Sequence, residues 1–241
     1  MGNSESSANP VRNLDKRTAR REYATRFIGE IDRYRAEKGE DDDLRTVDST
    51  MATQDTIQTV VRKRPIFAHE LENSEFDVVT AKDQNRITIH DARMHTDMVR
   101  HFMNHHEFNF HRVYSERDSN EDIYHNTIAP MVTHTLYGGY STCMVYGQTG
   151  SGKTFTMSYM YERAARELFQ NLPTGCSIGV SYIELADDTV LDLLNVSQPV
   201  QLCSGGDGCF HAYPVVEPIV NSLEELLALV LFGQDVRATS A

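Results

Sequence analysis

Basic residues are scarce in this sequence. Its 241 residues contain 23 lysines and arginines against 35 aspartates and glutamates, a formal net charge of -12. This balance argues against a general nucleic-acid-binding protein, because phosphate contacts need clustered lysine and arginine.

Long apolar runs are missing from the sequence too. The run Leu226–Phe232 falls far short of the roughly 20 residues of a bilayer span, and no secretory leader opens the chain, so no stable membrane insertion is expected.

Cysteine is also rare. The four cysteines, Cys143, Cys176, Cys203 and Cys209, show no C-x-x-C spacing, and nothing in the sequence indicates secretion. Reduced thiols in a cytoplasmic protein are therefore expected. Cys203 and Cys209 flank the glycine-rich run 204–208, a pattern that favours a hairpin turn over a redox pair.

The composition, 40% hydrophobic, allows a buried core, and three regions are predicted. Residues 1–10 are small and polar, which predicts a disordered start. Residues 11–54 are predicted to form a charged helix followed by an acidic linker, whose run 40–43 is expected to be solvated rather than to bind a metal. Residues 55–241 form the main domain. In the charged helix, apolar side chains recur at helical spacing, at Tyr23, Phe27, Ile31 and Tyr34.

Alternating, β-branched and apolar runs predict the elements of the main domain. A helix is predicted from Ser119, where Asp122 follows three residues later, to Gly138–Gly139, and Pro130 should bend it. Strands are predicted at Thr56–Val61, Phe76–Thr80, Arg86–His90, Phe108–Tyr114 and Thr142–Tyr146. Later segments are a helix at Phe155–Gln170, extended or short-helical structure at Ile178–Leu185 and Asp188–Leu194, a segment at Val215–Val220 and a helix at Leu223–Phe232.

The most informative motif is GQTGSGKT, which fits G-x-x-x-x-G-K-[ST] in full between a predicted strand and a predicted helix. Glycines are needed because side chains would block backbone amides from converging on phosphate oxygens, and because some positions need positive φ, which Gly150 and Gly152 can supply. The first helical turn points N–H groups and its positive dipole end at the anion. Lys153 supplies a point charge for the β- and γ-phosphates, and the Thr154 hydroxyl joins the shell of Mg²⁺. The predicted nucleotide-binding residues are Gly147, Gln148, Thr149, Gly150, Ser151, Gly152, Lys153 and Thr154.

The glycine-rich motif does not define the reaction, since binding modules, kinases, GTPases and motors share it.

Histidines are dense between residues 90 and 111, and His101 and His105 would share one face of a helix. No H-E-x-x-H occurs and no third ligand is fixed by spacing, so packed or solvated histidines are expected rather than a zinc site.

The stretch Ser119–Met157 resembles the kinesin motor signature: a helix ends in a glycine pair, an aromatic residue precedes GQTGSGKT, and T-M follows. Upstream, Val61–Pro65 (VRKRP) is similar to the end of the first kinesin strand. Downstream, Val180–Leu194 (VSYIELADDTVLDLL) resembles the S-Y-x-E-I-Y and D-L-L segment. The resemblance covers about residues 56–241. Within the family the kinesin-13 subfamily is closest, because Ile87–Phe110 resembles its first lobe and the charged helix resembles its neck.

The resemblance implies an α/β P-loop NTPase fold, with a central mixed sheet flanked by helices, that binds ATP or ADP with Mg²⁺. It also implies microtubules or tubulin as partners and a cytoplasmic, cytoskeletal location. Asp192 would then lie in the D-L-L segment, away from magnesium. Where kinesin-13 proteins carry a K-V-D tip, this sequence has His95, Thr96 and Asp97. The residues implied around adenine and ribose are Arg62, Arg64, Pro65 and Phe155.

Two kinesin motifs are missing from the sequence: the switch I pattern N-x-x-S-S-R-S-H and the switch II pattern D-x-x-G. Residues 233–240 resemble the segment just before switch I, so the fold is expected to be incomplete at its C-terminal side and no catalytic residue is assigned. The sequence is interpreted as the N-terminal part of a longer motor. The alternatives are a turnover-deficient interaction protein that binds nucleotide or tubulin, and a small P-loop kinase.

Overall fold

A computed structural model describes residues 15–38, 57–97, 99–206 and 208–239. The chain divides into two compact units, Met1–Ser119 and Asn120–Ala241. No helix among the described residues is long and apolar enough to cross a bilayer. The acidic run 40–43 and the predicted disordered start lie outside the described residues.

The first unit begins with two short helices where one was predicted, α1 (Lys16–Glu22) and α2 (Ala24–Lys38). The side chain of Asp15 caps α1 by accepting hydrogen bonds from the amides of Arg17 and Thr18, at 2.9 and 3.0 Å. Three of the four residues of the predicted apolar stripe are confirmed in α2, whereas Tyr23 lies in the turn between the two helices. In α2, Phe27, Ile31 and Tyr34 are buried, so this narrow face attaches the helix to the rest of the unit.

The strands of the first unit form two sheets. An antiparallel sheet contains β2 (Val79–Ala81), β3 (Arg86–Met94) and β4 (His101–Asn109). A parallel pair joins β1 (Val60–Arg62) to β5 (Arg112–Tyr114). A short helix, α3 (Ala68–Glu72), follows β1.

Several predicted strand boundaries in this unit were wrong. The strand predicted at Phe76–Thr80 begins only at Val79, and the strand predicted at Arg86–His90 continues to Met94. The single strand predicted at Phe108–Tyr114 is split, because the Asn85 side chain donates to the carbonyls of Phe110 and His111 and turns the chain there. The strand predicted at Thr56–Val61 begins only at Val60; position 56 is outside the described residues.

The second unit begins with a helix in three parts: α4 (Asn120–Ile123), a π-helical segment (Tyr124–Ile128) and α5 (Ala129–Leu136). Pro130 explains the change of register. Its ring opposes the carbonyl four residues before it, and it has no N–H to donate, so a wider turn precedes it. After α5, Gly138 takes φ +86°, a conformation that ends helices and suits glycine.

The strand predicted at Thr142–Tyr146 does not form. Residues 139–148 carry no regular secondary structure, and Met144 is 89% exposed. The run is apolar, but a strand also needs ladder partners, and no described strand hydrogen-bonds to this one.

The rest of the second unit combines helices with antiparallel sheets. The predicted hairpin is confirmed, because β9 (Gln198–Ser204) pairs with β10 (Phe210–Tyr213) across the glycine-rich turn. Helix α7 (Leu223–Thr239) runs seven residues beyond the predicted end at Phe232. An apolar cluster of Ala165, Val220 and Leu226 joins three of the elements. The elements are α6 (Lys153–Asn171), β6 (Ile178–Gly179), β7 (Ile183–Ala186), β8 (Thr189–Asp192), a 3-10 turn (Leu193–Asn195), β9 (Gln198–Ser204), β10 (Phe210–Tyr213), β11 (Ile219–Val220) and α7 (Leu223–Thr239).

Candidate functional site

The glycine-rich loop has the backbone that the motif predicts. Gly150 and Gly152 take φ of +81° and +92°, and an added Cβ at either position would meet no atom within 4 Å. Glycine is therefore required at both positions by conformation rather than by space. Gly147 differs, because a Cβ there would lie 2.4 Å from the Ser151 Oγ. Its missing side chain lets the loop close on itself.

Helix α6 begins at Lys153, directly after the loop. The amide of Thr156 donates to the Gly152 carbonyl at 3.1 Å, which is the first bond of the helix. N–H groups that precede this bond point along the axis, where the helix dipole is positive. The Thr154 side chain is exposed in this first turn. The loop and the N-terminal end of the helix can thus bind an anion, and the Thr154 hydroxyl can bind the cation that accompanies it.

The Lys153 ammonium folds back over the loop. Its Nζ donates to the carbonyl oxygens of Gly147 at 2.6 Å and Gln148 at 3.0 Å. The ammonium group of the motif's lysine therefore contacts the backbone of the first two residues of the motif. Within the second unit, all eight predicted loop residues and Phe155, which is 67% exposed, lie in one continuous turn and helix start.

Arg62, Arg64 and Pro65 lie together in the first unit, at the end of β1. The Arg64 guanidinium donates two hydrogen bonds to the Glu70 carboxylate, at 2.7 and 2.5 Å. These bonds lower the pKa of Glu70 to about 2. The guanidinium also lies 4.6 Å from the centroid of the Phe67 ring. Arg64 is therefore engaged within its own segment, and its predicted contact with adenine stays a prediction, as do those of its two neighbours and of Phe155.

Lys63, between the two predicted arginines, was not identified from the sequence. Its side chain is only 5% exposed, and its Nζ donates to Asp77 at 2.7 Å and to Glu116 at 2.8 Å. This cation directly follows β1 and is buried inside the unit, whereas Arg62 and Arg64 are half-buried. No local signal marks it, because the two carboxylates come from distant parts of the sequence.

A second set of residues was also missed, along one face of α6. Tyr159, Arg163 and Glu167 are spaced by four and so share that face. The Tyr159 hydroxyl donates to the Glu121 carboxylate, and Arg163 donates to both oxygens of the same group, at 3.1 and 3.4 Å. Arg163 also lies 5.6 Å from the centroid of the Tyr124 ring. We call these five residues the helix clamp.

Tyr124 completes the helix clamp. It is fully buried, and its hydroxyl donates to Glu167 at 2.5 Å. Burial, followed by the nearby Glu167 carboxylate, raises the pKa of Tyr124 far above its usual value. The hydrogen bonds from Arg163 and then Tyr159 hold the pKa of Glu121 at about 2. At neutral pH the clamp therefore contains a protonated tyrosine and an ionised carboxylate.

The spacing of His101 and His105 suggested that they share one face of a helix. Both instead lie on the strand β4. His90 is 1% exposed and packs as predicted for a structural histidine, with its Nε2 2.7 Å from the Thr80 hydroxyl. Among the described residues, no group of three or more histidines, cysteines or acidic residues is placed to hold a metal.

Asp192 is fully buried, and its carboxylate binds backbone amides. Its carboxylate accepts hydrogen bonds from the amides of Leu194 at 3.0 Å and Val216 at 2.8 Å. It thereby caps the 3-10 turn and connects it to the segment that precedes β11. This is a structural use of a carboxylate that resembles, in sequence, the acidic residue of a nucleotide site.

Comparison with known proteins identifies relatives of the chain. Residues 62–241 match the kinesin motor-domain family. The kinesin-like protein KIF24 of Mus musculus is 30% identical over 207 residues, which cover 81% of this chain and 15% of the relative. The diatom spindle kinesin-1 of Cylindrotheca fusiformis is 32% identical over 218 residues, covering 88% and 35%. The kinesin-like protein KIN-13A of Oryza sativa subsp. japonica is 33% identical over 145 residues, covering 58% and 18%. The chain therefore spans 15% to 35% of the length of these curated relatives.

A solved structure of a fast kinesin shares the fold. Its TM-score is 0.66 at 24% identity, and the match covers 77% of this chain and 54% of that chain. This likeness confirms the predicted fold class. The described strands pair in both parallel and antiparallel fashion, as expected, but they form four separate sheets.

Proposed function

The chain belongs to the kinesin motor-domain family, and from this premise we propose that residues 147–154 bind ATP or ADP together with Mg²⁺. The observation that carries the proposal is the backbone of the loop. Gly150 and Gly152 are left-handed, Gly147 leaves space that a side chain would fill, and α6 starts at Lys153. These are the requirements of a phosphate cradle at a helix N-terminus.

The residues of the cradle have distinct roles in this proposal. Backbone amides of the loop and of the first turn of α6 donate to phosphate oxygens. Lys153 exchanges its two carbonyl partners for phosphate oxygens, and the Thr154 hydroxyl joins the oxygen ligands of Mg²⁺. When bound, the metal ion neutralises phosphate charge. The exposed Thr154 side chain is free to move to such a position without disturbing the core.

For the whole protein, we propose a microtubule motor of the cytoskeleton, with residues 11–54 as a neck and linker and residues 55–241 as the N-terminal part of the motor domain. The family membership and the names of the relatives, a spindle kinesin among them, support this. The relative named KIN-13A supports the kinesin-13 assignment, which implies movement or end disassembly.

We propose that these 241 residues alone bind nucleotide without turnover. Neither N-x-x-S-S-R-S-H nor D-x-x-G occurs in them. Hydrolysis needs groups that sense the γ-phosphate and orient the attacking water, in addition to a cradle. The second candidate function, an interaction protein that binds tubulin or nucleotide without hydrolysis, is favoured by the same observation.

Calorimetry on the full chain with Mg·ADP and Mg·ATP tests the nucleotide site. Binding heat is expected, and Lys153→Ala should weaken affinity by at least about tenfold, the effect of losing one charge-assisted contact. Arg166→Ala is the matched control, because this exposed cation of the same helix pairs with Glu162 of its own helix, at 3.3 Å. No heat with either nucleotide would refute the proposal.

Sedimentation with microtubules and a phosphate-release assay distinguish the N-terminal part of a motor from an interaction protein that binds tubulin. Binding nucleotide without microtubule binding or phosphate release fits the N-terminal part of a motor. Microtubule binding without phosphate release fits an interaction protein. Phosphate release that microtubules stimulate and that Lys153→Ala abolishes would contradict the proposal that these residues lack turnover.

A further inference from the structure

We infer that Glu121 is a positioning residue for the nucleotide site, acting through α6 and touching no ligand itself. This inference rests on the proposed function. Glu121 lies on α4, outside the loop, and is joined to α6 through Tyr159 and Arg163. The helix that it holds is the one whose first turn follows the phosphate-binding loop.

The distances along α6 make such an effect possible. At a rise of about 1.5 Å per residue, Tyr159 lies roughly 9 Å and Arg163 roughly 15 Å from the start of the helix at Lys153. Both residues lie on the same continuous helix of 19 residues as the first turn. A rotation or shift at Tyr159 therefore reaches the amides of the first turn. Misplacement of binding groups by about 1 Å is costly in sites that work by orientation.

The bonds of the helix clamp are directional. Arg163 meets both oxygens of one carboxylate, an arrangement that fixes orientation as well as distance. Another part of α6 contacts its surroundings through Ala165, which belongs to an apolar cluster with Val220 and Leu226. Apolar contact is non-directional and permits small sliding movements. The clamp therefore supplies the constraint on the register of α6 that this apolar cluster does not.

The partner side of the clamp has unusual geometry. Glu121 lies just before the π-helical segment Tyr124–Ile128, and Tyr124 opens that segment. The amide of Ala129 donates to the carbonyl of Tyr124, five residues earlier. Such wide turns are rare and are often found at functional sites. Here the turn accompanies two clamp residues that both reach α6.

The same helix provides a matched comparison. Glu162 pairs with Arg166 of its own helix at 3.3 Å, and both side chains are about half exposed, at 50% and 46%. That pair lies within α6 and cannot set the position of α6 relative to another element. Removing either carboxylate changes the net charge equally, but of the two only Glu121 bonds α6 to another element, through Tyr159 and Arg163.

The experiment measures the dissociation of a fluorescent ADP analogue, with Mg²⁺, from the full chain and from three variants. Glu121→Gln should weaken affinity about fivefold to twentyfold, mainly through faster dissociation, because the cradle is misaligned. Tyr159→Phe removes one hydroxyl and should weaken affinity by about twofold to fivefold, since one of the bonds to Glu121 is lost. Glu162→Gln should stay within about twofold of the parent chain.

Hydrogen exchange distinguishes positioning from general destabilisation. In Glu121→Gln, amides 150–156 should exchange faster than in the parent chain while those of α7 are unchanged. A merely structural role would accelerate exchange throughout the unit. If Glu121→Gln fails to fold, Tyr159→Phe carries the same two measurements.

The possible results separate this inference from the function on which it rests. If the parent chain binds the analogue and Glu121→Gln and Tyr159→Phe bind as tightly as Glu162→Gln, the inference is overturned and the proposed function stands. If the parent chain does not bind the analogue, the proposed function fails and the inference fails with it.

Discussion

The imidazoles of His90 and His105 face each other across β3 and β4, with their Nδ1 atoms 2.7 Å apart. Two ring nitrogens at this distance share one hydrogen, so one ring donates and the other accepts. Tyr34 of α2 lies against both rings, with centroid distances of 4.3 Å to His105 and 4.9 Å to His90. The pair, in which His90 is buried and His105 is exposed, thus connects the N-terminal helices to the sheet, and a charge on both rings would break it.

Acid should weaken the first unit through His90. Burial lowers the pKa of His90 to about 4; His105, Arg35 and Lys63 act in the same direction and Asp77 opposes them. The unfolded chain, with an ordinary histidine pKa of about 6.5, binds the proton first as the pH falls. The contribution of His90 is therefore complete above pH 6.5 and is lost between pH 6.5 and 4, by on the order of 3 kcal/mol.

Urea unfolding at several pH values measures this loss. His90→Gln keeps a partner for the Thr80 hydroxyl and should flatten the decline between pH 6.5 and 4. His69→Gln, at an exposed histidine of α3, is the control and should leave the decline as it is in the parent chain. An unchanged slope in His90→Gln would contradict the assignment.

Gly152→Ala should impair the nucleotide site as well as stability. Its φ of +92° costs a side-chain-bearing residue about 1 to 2 kcal/mol, so the loop would relax away from the cradle geometry. Gly175 has a similar φ of +85° and open space around it, but lies outside the loop. Gly175→Ala should therefore reduce the melting temperature comparably without changing the affinity for Mg·ADP. Equal affinities for the two variants would count against the site.

Lys63→Met should strongly destabilise the first unit. It leaves the carboxylates of Asp77 and Glu116 without their common partner inside the unit, at a cost of about 2 to 4 kcal/mol. Arg166→Met breaks an exposed pair and should change the free energy of unfolding by less than about 1 kcal/mol. Chemical denaturation compares the two. A small effect at Lys63 would mean that water replaces the cation.

Two glycine-to-alanine substitutions in helices should have opposite signs. At Gly29, in α2, an added Cβ meets nothing within 4 Å, so alanine should stabilise by about 0.5 to 1 kcal/mol through higher helix propensity. At Gly233, in α7, a Cβ would lie 2.3 Å from the Tyr182 ring, so alanine should destabilise by about 1 to 3 kcal/mol. Thermal unfolding of both variants measures the difference, and the same sign for both would contradict the packing of α7.

Local rules account for what the sequence predicted well. The glycines of the loop and the stripe of Phe27, Ile31 and Tyr34 follow from backbone conformation and helical spacing, and the structure has both. The split helix around Pro130 also follows from a local cause, the missing N–H and the ring.

Contacts between residues that are far apart in sequence explain the predictions that were wrong and the residues that were missed. The run Thr142–Tyr146 has the composition of a strand, but strand formation depends on neighbours that the run itself cannot specify. Lys63 and Glu121 were missed for the same reason, since their partners are about 14 to 53 and 38 to 42 positions away in sequence. For Arg163, its spacing of four from both Tyr159 and Glu167 was a usable signal of a shared helix face.

The two bonds that Lys153 donates to the carbonyl oxygens of Gly147 and Gln148 would make phosphate binding at the proposed site a competition. An anion would have to displace two dipoles that compensate the ammonium, so a weakly charged ion such as chloride would gain little by doing so. A chain of linked phosphates would bring several charges to the loop amides and the ammonium together. These contacts of the lysine would therefore favour polyanions over the salts around them.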